Sequence, residues 1–440
     1  MRTSITRLVA SAATIATVCA LAACGSTGSS EATADKPVEI TWWGWSTPPA
    51  EQAKDFMKSH PNIKVKFSNV GKALDQYNSL SNAIQANSGM PDLATIEYFA
   101  LPQFVQTGKL VDLTQFGADK FDNDYTTGTW SSVNINGGVY ALPTDSGPMA
   151  FYYNKEVFDK AGVDATQIKT WDQYYEAAKK IRATGSYITS DSGDAGFYES
   201  MIWQAGGHPY AVSEDGKNLT VNLTDDDGTK EFTDFWQKMI DEDLIDTKTV
   251  GWTDEWNKGL GDGSIASLLT GAWMPVNLKT GAPQASGKWR VTQMPTWKEG
   301  DTANAENGGS SVALMDTGDK AKMKAAWEFL EYMNHSEKGT KFANSLGNFP
   351  ASKQVLESEE FLNATDDYFG GQQVNKEFAT AADHVLPDWQ FLPYAVYVRN
   401  VFTDTVGKAF DGSEKLSKGI GEWQKNISDY GVNQGFSVKN

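Results

Sequence analysis

The run Val38-Glu39-Ile40-Thr41-Trp42-Trp43-Gly44-Trp45-Ser46-Thr47-Pro48-Pro49 decides how the chain is read. β-Branched and aromatic residues fill its first half, which predicts a buried strand. Gly, Ser and two prolines then end it. Residues 50–59 place Phe56 and Met57 on one helical face, and Pro61-Asn62 closes that segment. Ile63-Lys64-Val65-Lys66-Phe67 alternates as a second strand. Leu74, Tyr77, Leu80 and Ile84 recur at helical spacing up to a stop near Gly89-Met90-Pro91. Asp92-Leu93-Ala94-Thr95-Ile96 is a third strand, and 101–108 is helical again. Strands alternating with helices predict an α/β lobe on a largely parallel sheet. In such sheets ligands sit beyond the carboxyl ends of strands. That rule selects Trp43 and Trp45 after the first strand, and Glu97 and Tyr98 after the third.

Upstream the chain changes character. Arg2 and Arg7 precede an uncharged apolar run from Leu8 to Ala23, the form of a secretory leader. The run is peppered with Ser and Thr and falls short of the roughly 20 apolar residues of a spanning helix. Its end, Leu21-Ala22-Ala23-Cys24, resembles a bacterial lipobox. That resemblance implies a signal peptide over 1–23, cleavage before Cys24, and a diacylglyceryl group on the Cys24 sulfur. Residues 24–36 carry too little apolar surface to fold and read as a solvated tether. One acyl chain binds a bilayer only marginally, so stable anchoring needs more than one. Cys19 lies in the leader, so the mature chain keeps only Cys24 and has neither a disulfide nor a Cys-based metal site.

The remaining roughly 400 residues exceed what a single core of about 250–300 organises, so two lobes are expected. The formal charge is −18, and losing Arg2 and Arg7 makes it more negative still. Such a surface repels nucleic acid and anionic lipid. The chain holds 15 Trp, 16 Tyr and 21 Phe, and not all of them suit a core. An aromatic face packs on the C–H face of a sugar ring, while nearby carboxylates and amides take its hydroxyls.

Further along, Thr170-x-x-Gln173 opens a helix as a capping box, with Trp171, Tyr174, Tyr175, Ala178 and Ile181 on the face behind it. Asp215-Gly216 is a hairpin turn between Tyr210-Ala211-Val212 and Leu219-Thr220-Val221. Phe232, Phe235, Trp236, Met239 and Ile240 form an apolar stripe, read as core. Met323, Trp327, Leu330 and Met333 are read the same way, and 392–410 and 416–427 as two long helices. Asp225-Asp226-Asp227-Gly228 lacks the alternation of a calcium loop and reads as a turn opening a helix. No Gly-x-Ser-x-Gly, His-Glu-x-x-His or phosphate-cradling Gly-rich motif occurs. The four histidines are not at metal spacing, so no metal and no cofactor is expected.

Several segments in order carry a family likeness. They include Gly89-Met90-Pro91-Asp92-Leu93, Gly137-Gly138-Val139-Tyr140-Ala141-Leu142-Pro143 and Phe151-Tyr152-Tyr153-Asn154-Lys155-Glu156-Val157-Phe158. They continue through Thr170-Trp171-Asp172, Trp203-Gln204-Ala205-Gly206-Gly207, Gly271-Ala272-Trp273, Gly308-Gly309-Ser310 and Phe349-Pro350-Ala351. Over essentially the whole mature chain this resembles the family 1 extracytoplasmic solute-binding proteins, the maltose-binding-protein relatives that serve ABC sugar importers. The resemblance implies a class II, two-lobed α/β fold, with crossings near 144–148, 307–310 and 349–352. Lobe one would then be 37–145 with 310–349, and lobe two 146–309 with 350–440.

The resemblance also implies a cleft between the lobes, in which Trp273 matches an aromatic that stacks on sugar. The other candidates are Trp43, Trp45, Glu97, Tyr98, Asp145, Trp203, Trp252, Gly309, Ser310 and Trp389. For Trp203 a packing role beneath Gly206-Gly207 is the alternative, and for Asp145 a turn. The implied function is non-enzymatic: a monomer, anchored by lipid to the outer face of the membrane, captures an oligosaccharide for an ABC permease. A surface-anchored glycoside hydrolase is the alternative, with paired carboxylates about 5–5.5 or 6.5–9.5 Å apart. A glycan binder without a transporter is another.

Overall fold

The computed structural model describes residues 36–45, 48–71 and 73–440. The leader, Cys24 and all but the last residue of the tether lie outside the described residues. Eight strands organise the two lobes. They are β1 (Val38–Gly44), β2 (Ile63–Asn69), β3 (Leu93–Glu97), β4 (Leu142–Pro143), β5 (Met149–Asn154), β6 (Ser267–Gly271), β7 (Trp289–Thr292) and β8 (Ser310–Leu314).

The first sheet runs β2-β1-β3-β8-β4. β1 is parallel to β2 and to β3, as the alternating pattern predicts. β8 runs antiparallel to β3, and β4 antiparallel to β8, so the sheet is mixed rather than largely parallel. The reason is topological: β8 enters from the other lobe, as no local crossover would bring it. Trp42 is 1% exposed on the inner face, its Nε1 donating to Thr95 Oγ1 at 3.0 Å. Leu74 is 40% exposed, so only Tyr77 and Leu80 of that predicted face are buried in the helix Ala73–Ala86. Trp327, Leu330 and Met333 of the helix Lys320–Asn334 bury against this sheet, with Met323 partly buried beside them.

The second sheet is β6-β5-β7, with β5 central and antiparallel to both neighbours. Every residue of β5 is buried. Its side chains alternate between faces, as pleating requires. Met149, Phe151 and Tyr153 enter one apolar core, while Ala150 and Tyr152 enter another. The first of these cores takes Trp171, Tyr174, Trp236 and Trp423 from three helices. The capping box at Thr170 and Gln173 and the hairpin of 210–212 with 218–221 form as expected. Asp226 caps the helix Asp227–Asp241 through Thr229 N. The predicted helix over 392–410 is shorter, reaching only from Ala395 to Asn400. Beyond it the Thr405 hydroxyl donates to Val401 O and Phe402 O, a local bond that competes with helix continuation. Ala395 and Val396 bury in the first lobe's core, although the chain around them belongs to the second. The last helix runs from Leu416 to Asn433, past the predicted end at 427.

Three segments cross between the sheets side by side. Thr144 N donates to Ser310 O at 2.9 Å, Ser146 N to Phe349 O at 3.2 Å, and Asn307 N to Gly147 O at 2.7 Å. A Cβ on Gly147 would collide with Asn307 O, so only glycine fits there. Asn334 secures the approach to the crossings. Its Nδ2 reaches Leu142 O, Pro143 O and Thr144 Oγ1 at 2.8–3.0 Å, and its carbonyl accepts from Tyr125 OH at 2.9 Å. Asn334→Ala removes the two amide N–H groups shared among these acceptors, of which Leu142 O and Pro143 O are buried, and is expected to cost about 2–4 kcal/mol in denaturant unfolding. A loss below about 0.5 kcal/mol would show that the crossing entry does not depend on this side chain.

Candidate functional site

Where the crossings meet the ends of β3 and β6, the lobes enclose a cavity of about 440 Å³. One wall is aromatic. Trp252, Trp256 and Trp273 sit in series, with ring centroids 5.1 Å (Trp252–Trp256) and 5.7 Å (Trp252–Trp273) apart. Thr253 caps the helix Asp254–Asp262 through Trp256 N, and Trp256 Nε1 donates to Ser190 Oγ at 3.1 Å. Trp252 is 55% exposed and has φ of +67°, a left-handed backbone that a bulky residue rarely holds. Strain of that kind, about 1–3 kcal/mol, persists where surrounding structure enforces it and concentrates at ligand clamps. Trp273 Nε1 donates to Asn307 O at 2.6 Å, which ties the aromatic wall to a crossing.

The cavity also has a charged lining. At the end of β3, Glu97 Oε2 accepts from Tyr77 OH at 3.0 Å, and burial pushes its carboxyl above the usual range. Asp191 Oδ2 accepts from Trp236 Nε1 at 2.8 Å and its Oδ1 from Gly193 N at 2.9 Å. Burial pushes Asp191 up to about 6 against those bonds. Glu199 is paired with Arg399, Nε to Oε2 at 2.9 Å, and the guanidinium carbon stands 3.7 Å from the Phe99 ring centroid. Arg399 and Gly308 also line an adjacent recess of about 20 Å³.

Of the residues selected from sequence, Glu97, Trp252 and Trp273 line the main cavity. Tyr98, Trp203, Gly309 and Trp389 line the recess. There Trp203 and Trp389 stack at 5.4 Å, with Trp203 Nε1 donating to Leu386 O at 2.9 Å. Asp145 and Ser310 face one another in the crossing: Asp145 Oδ1 accepts from Ser310 N at 2.6 Å and from Ser310 Oγ at 2.8 Å. Tyr98 OH donates to Asp145 O at 2.7 Å. Trp43 and Trp45 line neither space; they are half-buried against the first lobe's core, Trp45 edge-on to Tyr77 at 6.1 Å.

Sequence reasoning passed over Asp191, Asp194, Glu199, Trp256, Asn307 and Arg399. Arg399 carried one usable signal, as the lone basic residue in the apolar run 392–407. Trp236 is core as read, 0% exposed, yet its Nε1 holds Asp191 at the cavity floor.

Two lobes joined by three adjacent crossings, with an aromatic and acidic cavity between them, define a binding protein of the periplasmic type. Residues 51–367 match the model of the bacterial extracellular solute-binding proteins, and the chain belongs to that family. An ABC-transporter-associated binding protein from B. animalis subsp. lactis Bl-04, solved with β-1,6-galactobiose, is 53% identical to it. That structure superposes with a TM-score of 0.84 over 92% of this chain and 100% of its own. The galacto-N-biose/lacto-N-biose I-binding protein of Bifidobacterium longum, solved with lacto-N-biose, is 30% identical, with a TM-score of 0.77 over 92% and 99%. An arabinooligosaccharide-binding protein of Halalkalibacterium halodurans is 27% identical over 396 residues, 86% of this chain and 87% of that protein.

Glu306 lies at the edge of the recess and titrates with the fold. Its Oε1 accepts from Ser146 Oγ at 2.8 Å and its Oε2 from Gly147 N at 2.7 Å. Burial nevertheless pushes its pKa from 4.5 to about 7. A raised carboxyl pKa means the folded state holds the proton after the unfolded chain has released it. Stability is then lost as pH rises from about 4.5 to about 7, by up to about 3 kcal/mol from this group. Glu306→Gln removes that titration. Its stability relative to the wild type is expected to rise across this window in urea unfolding at stepped pH, and a pH-independent difference would refute the assignment.

Proposed function

We propose that this chain is a lipid-anchored binding protein that captures a short oligosaccharide and delivers it to an ABC importer. The observation that carries this reading is the wall of Trp252, Trp256 and Trp273 sharing one interlobe cavity with Glu97 and Asp191. Apolar sugar faces would lie on the indoles and hydroxyls would reach the carboxylates. The solute-binding relative at 53% identity holds β-1,6-galactobiose, which makes that disaccharide the first probe. Beyond Trp389 the interlobe surface opens into a groove of about 540 Å³, lined by Asn134, Asn136 and Gln390. That extra room favours a chain of sugars over a monosaccharide.

The lobes over 37–145 with 310–349 and 146–309 with 350–440 would move as bodies about the crossings. Ligand touching both would favour the closed form. The protein works as a monomer and returns its ligand intact. The cavity carboxylates fit a binding role, since Glu97 and Asp191 are each tied to a neighbouring side chain. Leu21-Ala22-Ala23-Cys24 supports the anchor.

Isothermal titration with β-1,6-galactobiose tests the site. Trp273→Ala is expected to weaken binding about 5-fold or more, given about 1 kcal/mol or more from one aromatic stack. Trp252→Ala should also weaken binding while shifting stability by less than about 0.5 kcal/mol, because the side chain is largely exposed. Full affinity in both variants would refute the aromatic wall. Chromatography of the recovered sugar should return intact disaccharide; released monosaccharide would replace the binding reading with a glycoside hydrolase. Cys24→Ser is expected to move the protein from the membrane fraction to the soluble one, and unchanged membrane retention would refute the anchor.

A further inference from the structure

Glu199 and Arg399 meet at the recess beside the main cavity, which Arg399 also lines. Glu199, on the helix Ala195–Gln204, is 2% exposed. Its Oε2 accepts from Arg399 Nε, but its Oε1 is buried and has no hydrogen-bond partner among the described residues. Arg399 is likewise incompletely engaged: among the described residues neither Nη group donates a hydrogen bond. An ionised oxygen buried without a donor is costly, and a guanidinium has five N–H bonds to place. At about 20 Å³ the recess holds one water or one hydroxyl and nothing larger. Gly308, at φ +85°, and Arg399 border both spaces, which places the recess directly beside the main cavity.

We propose that this recess receives a single hydroxyl group of the bound glycan. Its O–H donates to Glu199 Oε1 and its oxygen accepts from an Arg399 Nη. The proposal rests on the sugar-binding reading and deepens it. Arg399 is the one basic residue among the described lining residues, facing Glu97, Asp191, Asp194 and Glu199. A ligand carboxylate or phosphate would be repelled there, so the glycan is neutral. Arg399 also touches both lobes, pairing with Glu199 while stacking on Phe99 at the end of the first lobe's β3. The group it reads is therefore held at the lobe boundary.

The test is titration of the mature protein with β-1,6-galactobiose and its monodeoxy derivatives, in the wild type, Glu199→Gln and Arg399→Lys. In the wild type one deoxy position is expected to lose about 10–100-fold, the range of a hydrogen bond to a charged group. That position-specific loss should fall below about 3-fold in either variant, because the reading group is gone. Should Glu199→Gln not fold, Arg399→Lys carries the comparison, since it keeps the charge and removes the fork. Deoxy losses of the same size in wild type and variants would overturn the proposal, leaving an ordered water in the recess and a structural ion pair. Absence of binding to any neutral sugar would overturn the sugar reading and this proposal together.

Discussion

The molecule depends on three chain segments running side by side between the lobes, at a spacing no side chain at Gly147 would permit. Glu306 holds Ser146 and Gly147 of one crossing from its place on another, and Asp145 holds Ser310 in the same way. These bonds join residues more than 150 positions apart in sequence. Because the crossings are bonded to each other, they form one connected joint rather than three loose strands. The same segment orients the aromatic wall, since Asn307 O accepts from Trp273 Nε1.

Burial of carboxylates near this joint is the second organising feature. Glu306 and Asp145 are each shifted upward, to about 7 and about 6, by desolvation that their hydrogen bonds only partly offset. Buried charge is weak evidence for stability, because pairing seldom repays desolvation by much. Its presence here fits geometry better than stability: each carboxylate fixes a backbone donor at a place where the chain changes lobes. Asp191 does the equivalent work at the cavity floor, bonded to Trp236 and to Gly193 N.

The aromatics divide by what holds their polar edge. Trp42, Trp171 and Trp423 bury fully and donate inward, to Thr95, Gln204 and Val398 O. Trp256 and Trp273 line the cavity and donate to Ser190 Oγ and Asn307 O, which fixes their rings there. Trp252 is held in a left-handed turn and stays open to solvent. An indole tied at its nitrogen presents a rigid apolar face at little entropic cost, which suits a ring that has one apolar face and many hydroxyls.

The sequence by itself determined the periodic parts. Strand β1, the helices behind it, the capping box at Thr170 and the hairpin at Asp215-Gly216 follow from local propensity and from the two spacings of regular structure. It also carried enough ordered motifs to indicate two lobes, and it picked out Glu97, Trp252 and Trp273, which stand at segment ends. Tertiary structure alone decided the direction of β8, the early end of the helix at Asn400, and the partners of Asp191, Glu199 and Arg399. It separated Trp43 and Trp45 from the cavity although they follow the same rule as Glu97. The reason is physical: periodicity reports which face of an element is apolar. Which distant element covers that face, and which charge meets which, depends on contacts across hundreds of residues that leave no local pattern.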